Sequence, residues 1–162
     1  MPDKEERAIS DLLQHLAQTE DVILADCMRR MTSPCELEQA LAAILAEESR
    51  QYLAAIEAWN NKKECSVQIA RLEAQWQALL ARVDMGESLW HAQNLLWQME
   101  ASLICSMQFC EQAKKSFPYC EEQLFLEGYL HEKKKSRRKV EEVLRFVQNR
   151  IWEQTGFAPY CY

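Results

Sequence analysis

Residues 33–85 read SPCELEQALAAILAEESRQYLAAIEAWNNKKECSVQIARLEAQWQALLARVDM, with no glycine and no proline after Pro34. Apolar residues recur at Leu37, Leu41, Ile44, Leu45, Tyr52, Ile56 and Trp59, then at Ile69, Leu72, Trp76, Leu79, Leu80 and Val83. Such spacing marks one apolar face of a helix. Ser33-Pro34-Cys35-Glu36 opens the stretch as a capping box. Serine is the N-cap, proline takes the first helical position where its missing N–H costs nothing, and glutamate follows at the third. One residue is out of pattern: Glu48 falls where a core side chain is expected.

The stripe resumes in phase beyond Asn60-Asn61-Lys62-Lys63, which describes one helix to about residue 84. That rod would be ~75 Å long at ~1.5 Å per residue, while a compact chain of this size has a radius of gyration of only ~15 Å. A break at Asn60-Asn61 yields helices of ~40 and ~35 Å instead. Asn61 with Glu64 then reads as a second capping pair, and the break is the preferred reading.

Outward from this stretch the pattern stays helical. Asp3 and Glu6 cap a first helix, whose apolar positions are Ile9, Leu12, Leu13, Leu16, Ile23, Leu24, Cys27, Met28 and Met31, with a possible restart at Thr19-Glu20-Asp21. Asp84, Gly86 and Glu87 mark a turn. The next helix runs to about residue 115, with Leu89, Leu96, Met99, Leu103, Met107, Cys110 and Ala113 inward and Trp90, Trp97 and Ile104 widening that face. Ser116-Phe117-Pro118 separates it from a last helix. There Phe125, Leu126, Tyr129 and Leu130 precede nine positions, 131–139, without an apolar residue, and Val140, Val143, Leu144, Val147, Ile151 and Trp152 follow. With ~13 Å of helix offering nothing to bury, the helix is expected to project or bend there. Gly156 supplies a left-handed cap, Pro159 prevents resumption, and the aromatics Phe157, Tyr160 and Tyr162 are expected to fold back onto the bundle.

Composition agrees. The 162 residues carry three glycines and four prolines, too few turn formers for an all-β chain. The fold expected is a single all-α domain, an antiparallel bundle of four to five long helices with short connections. The net charge is −6, yet Lys133, Lys134, Lys135, Arg137, Arg138 and Lys139 hold six of the 19 basic residues, leaving 13 basic against 25 acidic elsewhere, a net of −12. An acidic body disfavours duplex nucleic acid. There is no apolar leader and no run of ~20 apolar residues. Seven cysteines without CxxC spacing then suggest a cytoplasmic protein with reduced thiols.

No motif names a reaction. Three scattered glycines cannot form a phosphate loop, and HExxH and GxSxG are absent. No catalytic or cofactor-binding residue stands out. Glu48 lies on the inner stripe of the second helix, and Glu100 lies at the edge of the inner face between Leu96 and Leu103. With His131 these are the candidate metal ligands. In its inward glutamates the chain resembles the ferritin-like di-iron bundles, which implies iron or manganese held in the bundle. The Glu-x-x-His pairs of those bundles are missing: Gly128 stands three residues before His131, and Glu127 four. The structural alternative for Glu48 is a buried carboxylate paired with a lysine or arginine.

The basic run 133–139 reads as a solvated face or as a docking surface for an anionic partner, and a phosphate on Ser136 would cut its charge. The five tryptophans are expected mainly in the core, but Trp90 and Trp97, seven apart on one face, would make a partner surface if exposed. The function expected is therefore a non-enzymatic helical interaction module: an adaptor, a chaperone-like binder or an assembly subunit that self-associates in coiled-coil fashion.

Overall fold

The computed structural model describes residues 4–83, 89–116 and 121–156, and among these the chain forms an all-α bundle. The helices are α1 (Lys4–Arg30), α2 (Glu36–Lys62), α3 (Glu73–Val83), α4 (Leu89–Ser116) and α5 (Glu121–Thr155). Four are long and α3 is short. The Asp3–Glu6 cap, the turn at 84–87, the break at 117–118 and the aromatic tail 157–162 lie outside the described residues.

Side-chain pairs give the orientation. The His15 ring packs against Phe109 and Arg30 donates to Gln98, so α1 and α4 are antiparallel. Trp59 stacks on Phe125 while Tyr52 meets Ser136, so α2 and α5 are antiparallel. Lys114 pairs with Glu127 and Lys134 with Glu111, which sets α4 against α5. Each long helix thus runs opposite to both neighbours. Because α2 ends where α5 begins, the chain must return the length of the bundle before α4 starts. Residues 63–72 and α3 make that return over the α2/α5 groove.

This return corrects the expected second half of the opening stretch. Helix α2 runs through Asn60 and Asn61 and stops at Lys63, whose φ of 52° is left-handed and whose N–H bonds the Trp59 carbonyl at 2.9 Å. No helix starts at Asn61. Residues 63–72 form an irregular strap instead, with Val67 and Ile69 buried and Ser66, Gln68 and Ala70 exposed. The period over this segment is two, not 3.6, as an extended chain requires. The Gln51 side chain holds the strap by donating to the Ala70 carbonyl at 3.3 Å and accepting from its N–H at 2.6 Å. A Cβ built on Gly128 would meet Cys65 O and Val67 Cβ at 3.6 Å, so the strap crosses α5 there.

The start of α2 also differs in detail. Cys35, not Ser33, is the N-cap, and the Ser33 hydroxyl bonds the Glu38 carboxylate at 2.8 Å rather than capping with Glu36. Arg30 reaches the same carboxylate at 2.9 Å, which closes the α1–α2 corner. α1 shows no restart at Thr19, and Met28 and Met31 face outward. Gly156 has the expected left-handed φ, 75°.

The apolar core falls into two clusters. One holds Cys27, Leu41, Leu45, Trp76, Leu95 and Val143. The other holds Leu16, Tyr52, Trp59, Val67, Phe125 and Tyr129. Each buried large side chain stabilises the fold by ~1.5–3 kcal/mol.

Candidate functional site

Between the two clusters lies a polar layer drawn from three helices and the strap. Lys133 of α5 is 1% exposed and forms an ion pair with Glu20 of α1, itself 1% exposed. Tyr129 Oη donates to Glu20 Oε1 at 2.9 Å, and Lys133 Nζ sits 3.8 Å from the Tyr52 ring centroid. A buried cation over an aromatic face gains electrostatic attraction that water would otherwise screen. Tyr52 Oη and Ser136 Oγ are 2.7 Å apart. Arg71, near the end of the strap, completes the layer. Its Nη1 donates to Glu48 Oε1 at 3.3 Å and to Ser136 Oγ at 2.6 Å, and its Nη2 donates to the Glu132 carbonyl at 2.9 Å and to the Glu132 carboxylate.

This layer explains positions 131–139, through which α5 continues unbroken with its inner side chains buried. Glu132, Lys133 and Ser136 continue its inner face, so the apolar gap is filled by polar groups that bury in pairs. Ser136 is 1% exposed, which closes it to a modifying enzyme in the folded protein. Most of the run is neutralised: Lys133, Lys134, Lys135, Arg137 and Lys139 each have a carboxylate within 4 Å, and Arg138 has none among the described residues. Lys133 is buried with its carboxylate, whereas Lys134, Lys135 and Arg138 remain exposed at the surface.

The metal candidates are not gathered. Glu48 is buried against Arg71, the paired state expected as the alternative to ligation, while Glu100 is half-buried and His131 is exposed. No group of three or more His, Cys, Asp or Glu side chains arranged to hold a metal occurs among the described residues. Cys27 and Cys110 are buried thiols whose pKa burial pushes up to about 12, so neither is an activated nucleophile. An open groove of about 600 Å³ between α2 and α3 is lined mainly by Ala40, Ala43, Ile44, Leu72, Ala78 and Leu79, with Glu47, Gln75 and Arg82 as its polar members.

Burial is also the main force on Glu48. It raises the carboxyl above its ordinary 4.5, and the charge and hydrogen bond of Arg71 offset this only in part. The folded protein therefore keeps a proton at pH values where the unfolded chain has lost it. The stability this group contributes is present below about pH 4.5 and is lost as the pH rises through the raised value. Glu48→Gln removes that dependence. In urea unfolding, the stability of the variant relative to the parent is expected to improve between about pH 4 and pH 7. A variant that falls further behind as the pH rises would mean that Arg71, not burial, governs the carboxyl.

The surface is most distinctive on α4. Trp59 and Trp76 are core residues as expected, but Trp90 is 59% exposed, Trp97 46% and Trp152 41%. From Leu89 to Cys110 the only formal charge is Glu100, in a chain with 27% charged residues. Positions 90, 94, 97, 101, 105 and 108 all face solvent, and they are Trp, Asn, Trp, Ala, Cys and Gln. A helix surface this poor in charge is more often covered than open. Here the inner face is buried by α1, α2 and α5, and the outer face is open.

No family model, curated protein or solved structure matches the chain. The site must be read from its own chemistry. Among the described residues no helix is long and apolar enough to cross a membrane, so the open face of α4 is not part of a spanning segment. Trp90 and Trp97, expected to widen the inner face of this helix, lie outward instead, seven residues apart on one exposed side. The sequence did not flag Glu20, Tyr52, Arg71, Tyr129 and Glu132 as one network, although Glu20 lies on the α1 stripe between Leu16 and Ile23.

Proposed function

We propose that the protein is a non-catalytic helical interaction module that binds a protein partner through the outer face of α4. The observation that carries this reading is the solvent exposure of Trp90 and Trp97 on a helix face whose one nearby charge is Glu100. Tryptophan is among the side chains that dominate binding energy at interfaces, because a large rigid surface is desolvated at low entropic cost. The internal pairing of the basic run supports the same choice over a charge-driven one.

The test is comparative. Binding partners captured from native extract by the immobilised protein are compared with those captured by Trp90→Ser/Trp97→Ser and by Leu124→Ser. Leu124 is 58% exposed and lies on α5, away from the α4 face. The double tryptophan variant is expected to lose its specific partners by about 30-fold or more in affinity, with the leucine variant unchanged. Equal capture by all three proteins would reject the α4 face.

A further inference from the structure

We infer that the groove between α2 and α3 binds a single-chain amphiphile with a carboxylate head, at a site separate from the α4 face. The groove is made by side-chain size. Ala40 and Ala43 on α2 and Ala78 on α3 line it where larger residues would close the space. Ile44 and Leu79, 4% and 2% exposed, form its floor. The volume, about 600 Å³, lies within the range of small-molecule sites, which are mainly apolar with a few placed polar groups. A second depression of about 450 Å³ shares Ala40 and Ala43 and continues past them to Met31, Glu36 and Gln39. Arg82 borders both.

Shape selects the tail. At ~1.5 Å per residue, the stretch from Leu72 to Arg82 spans ~15 Å, about the extended length of a dozen methylenes. A straight alkyl chain laid along it covers Leu72, Ala78 and Leu79 on one side and Ala43 and Ile44 on the other.

Charge selects the head. Arg82 stands at the C-terminal end of α3 and so at one end of this track. It is exposed, and it has no ion pair or hydrogen bond among the described residues. A guanidinium can donate two parallel hydrogen bonds to one carboxylate. The other charges on the groove are placed differently. Glu47 lies one turn from Gln51, which holds Ala70, and so marks the opposite end; it pairs with Arg50 at 3.5 Å. Glu36, in the first turn of α2, flanks the Arg82 end. Its charge opposes a phosphate, which carries up to two negative charges, more than a carboxylate, which carries one. In a protein of net charge −6 nothing favours an anion at long range, so recognition of the head has to come from Arg82 itself.

Equilibrium dialysis of the full chain against octanoate, decanoate and dodecanoate, each below its micelle-forming concentration and at about 0.15 M salt, tests this. Dodecanoate is expected to fill one site with a dissociation constant of about 10–100 micromolar. Each added methylene should tighten binding about two- to fourfold, because the groove is open on one side. Ala43→Leu and Ala78→Leu fill the groove from either wall. Each should weaken dodecanoate about 30-fold with the far-ultraviolet circular dichroism unchanged, since leucine is a good helix former. Arg82→Gln should weaken it about tenfold and erase the preference for dodecanoate over dodecyltrimethylammonium, which has the same tail and the opposite charge. Gln77→Ala, an exposed change on α3 outside the groove, should leave binding intact. Phosphatidylcholine vesicles loaded with dodecanoate separate a free chain from a membrane surface: the protein is expected to extract the chain and stay in the supernatant. No binding at about 1 millimolar dodecanoate overturns the assignment. So do tighter binding of the cationic amphiphile by the parent, binding indifferent to both leucine substitutions, and co-sedimentation with the vesicles in place of extraction.

Discussion

Lys133→Met is expected to lower the unfolding free energy by about 3–5 kcal/mol, a large share of the ~5–15 kcal/mol that holds a domain together. In a chain of this length that is a fall in Tm of roughly 10–15 °C. The reason is the state of Glu20 rather than the loss of an attraction. Its carboxylate is 1% exposed, its Oε2 has no hydrogen-bond partner among the described residues, and Lys133 is its ion pair. Removing the ammonium leaves a buried charge supported only by the Tyr129 hydroxyl at 2.9 Å. Adding Glu20→Gln should recover more than half of the loss, because an amide needs no counter-charge and its oxygen can still accept from Tyr129. Thermal and urea unfolding of the two single variants and the double variant measure this coupling. Strict additivity would show that Lys133 acts through its packing against the Tyr52 ring and not through Glu20.

Why the chain keeps so costly a layer follows from its position. The pairs tie α1 to α5 and the strap to α2 and α5 at one level, between two apolar clusters that would otherwise accept several registers. A one-turn slip of α5 would bury Lys133 against an apolar cluster without Glu20. Polar groups at a single core level are known to select register in this way, at some expense in stability.

Much of this fold is legible in the sequence, because the helices obey local rules. The stripes of α1, α2 and α4, an end to α2 near residue 61 and the Gly156 cap depend on residues within a few positions of each other, though α2 runs two residues past the expected break and no helix restarts there. The strap is a different case. Val67, Ile69 and Leu72 continue the helical phase of α2 by coincidence, and only the strict alternation from Cys65 to Arg71 marks an extended segment. The basic run is harder still. Lys133 and Ser136 lie in phase with Tyr129 and Val140, so their inward direction is readable from the period. Their partners are not: Glu20 is 113 residues away and Arg71 is 65, and nothing local says which charges meet. The α4 face shows the opposite limit. Apolar residues on two sides of one helix look like one wide core face until the neighbours are placed, and the exposure of Trp90 and Trp97 is a property of the assembled bundle.

Arg71→Ala should act more locally, freeing the strap while the four long helices stay packed. Arg71 is the hub between Glu48, Glu132 and Ser136, and the strap is otherwise anchored by Val67, Ile69 and the Gln51–Ala70 pair. Loss of the guanidinium leaves two buried carboxylates, 5% and 7% exposed, with Lys135 still 3.1 Å from Glu132 and no direct cation on Glu48. A cost of about 3 kcal/mol is expected, taken up by opening of residues 63–72 rather than by global unfolding. Limited trypsin digestion should then cut first at Lys62 or Lys63, and amide exchange should rise in the strap before it rises in α2 or α5. The pH response gives the sign. With Arg71 gone, the remaining forces on Glu48 raise its pKa further, so the variant recovers stability as the pH falls toward 4.5 and Glu48 takes up a proton. Arg71→Lys should not restore the parent, since an ammonium cannot reach Glu48, Ser136 and Glu132 at once as the planar fork does. A variant whose strap stays protected, and whose deficit is the same at pH 4.5 and pH 7, would show that the apolar contacts of Val67 and Ile69 hold the return segment without the clamp.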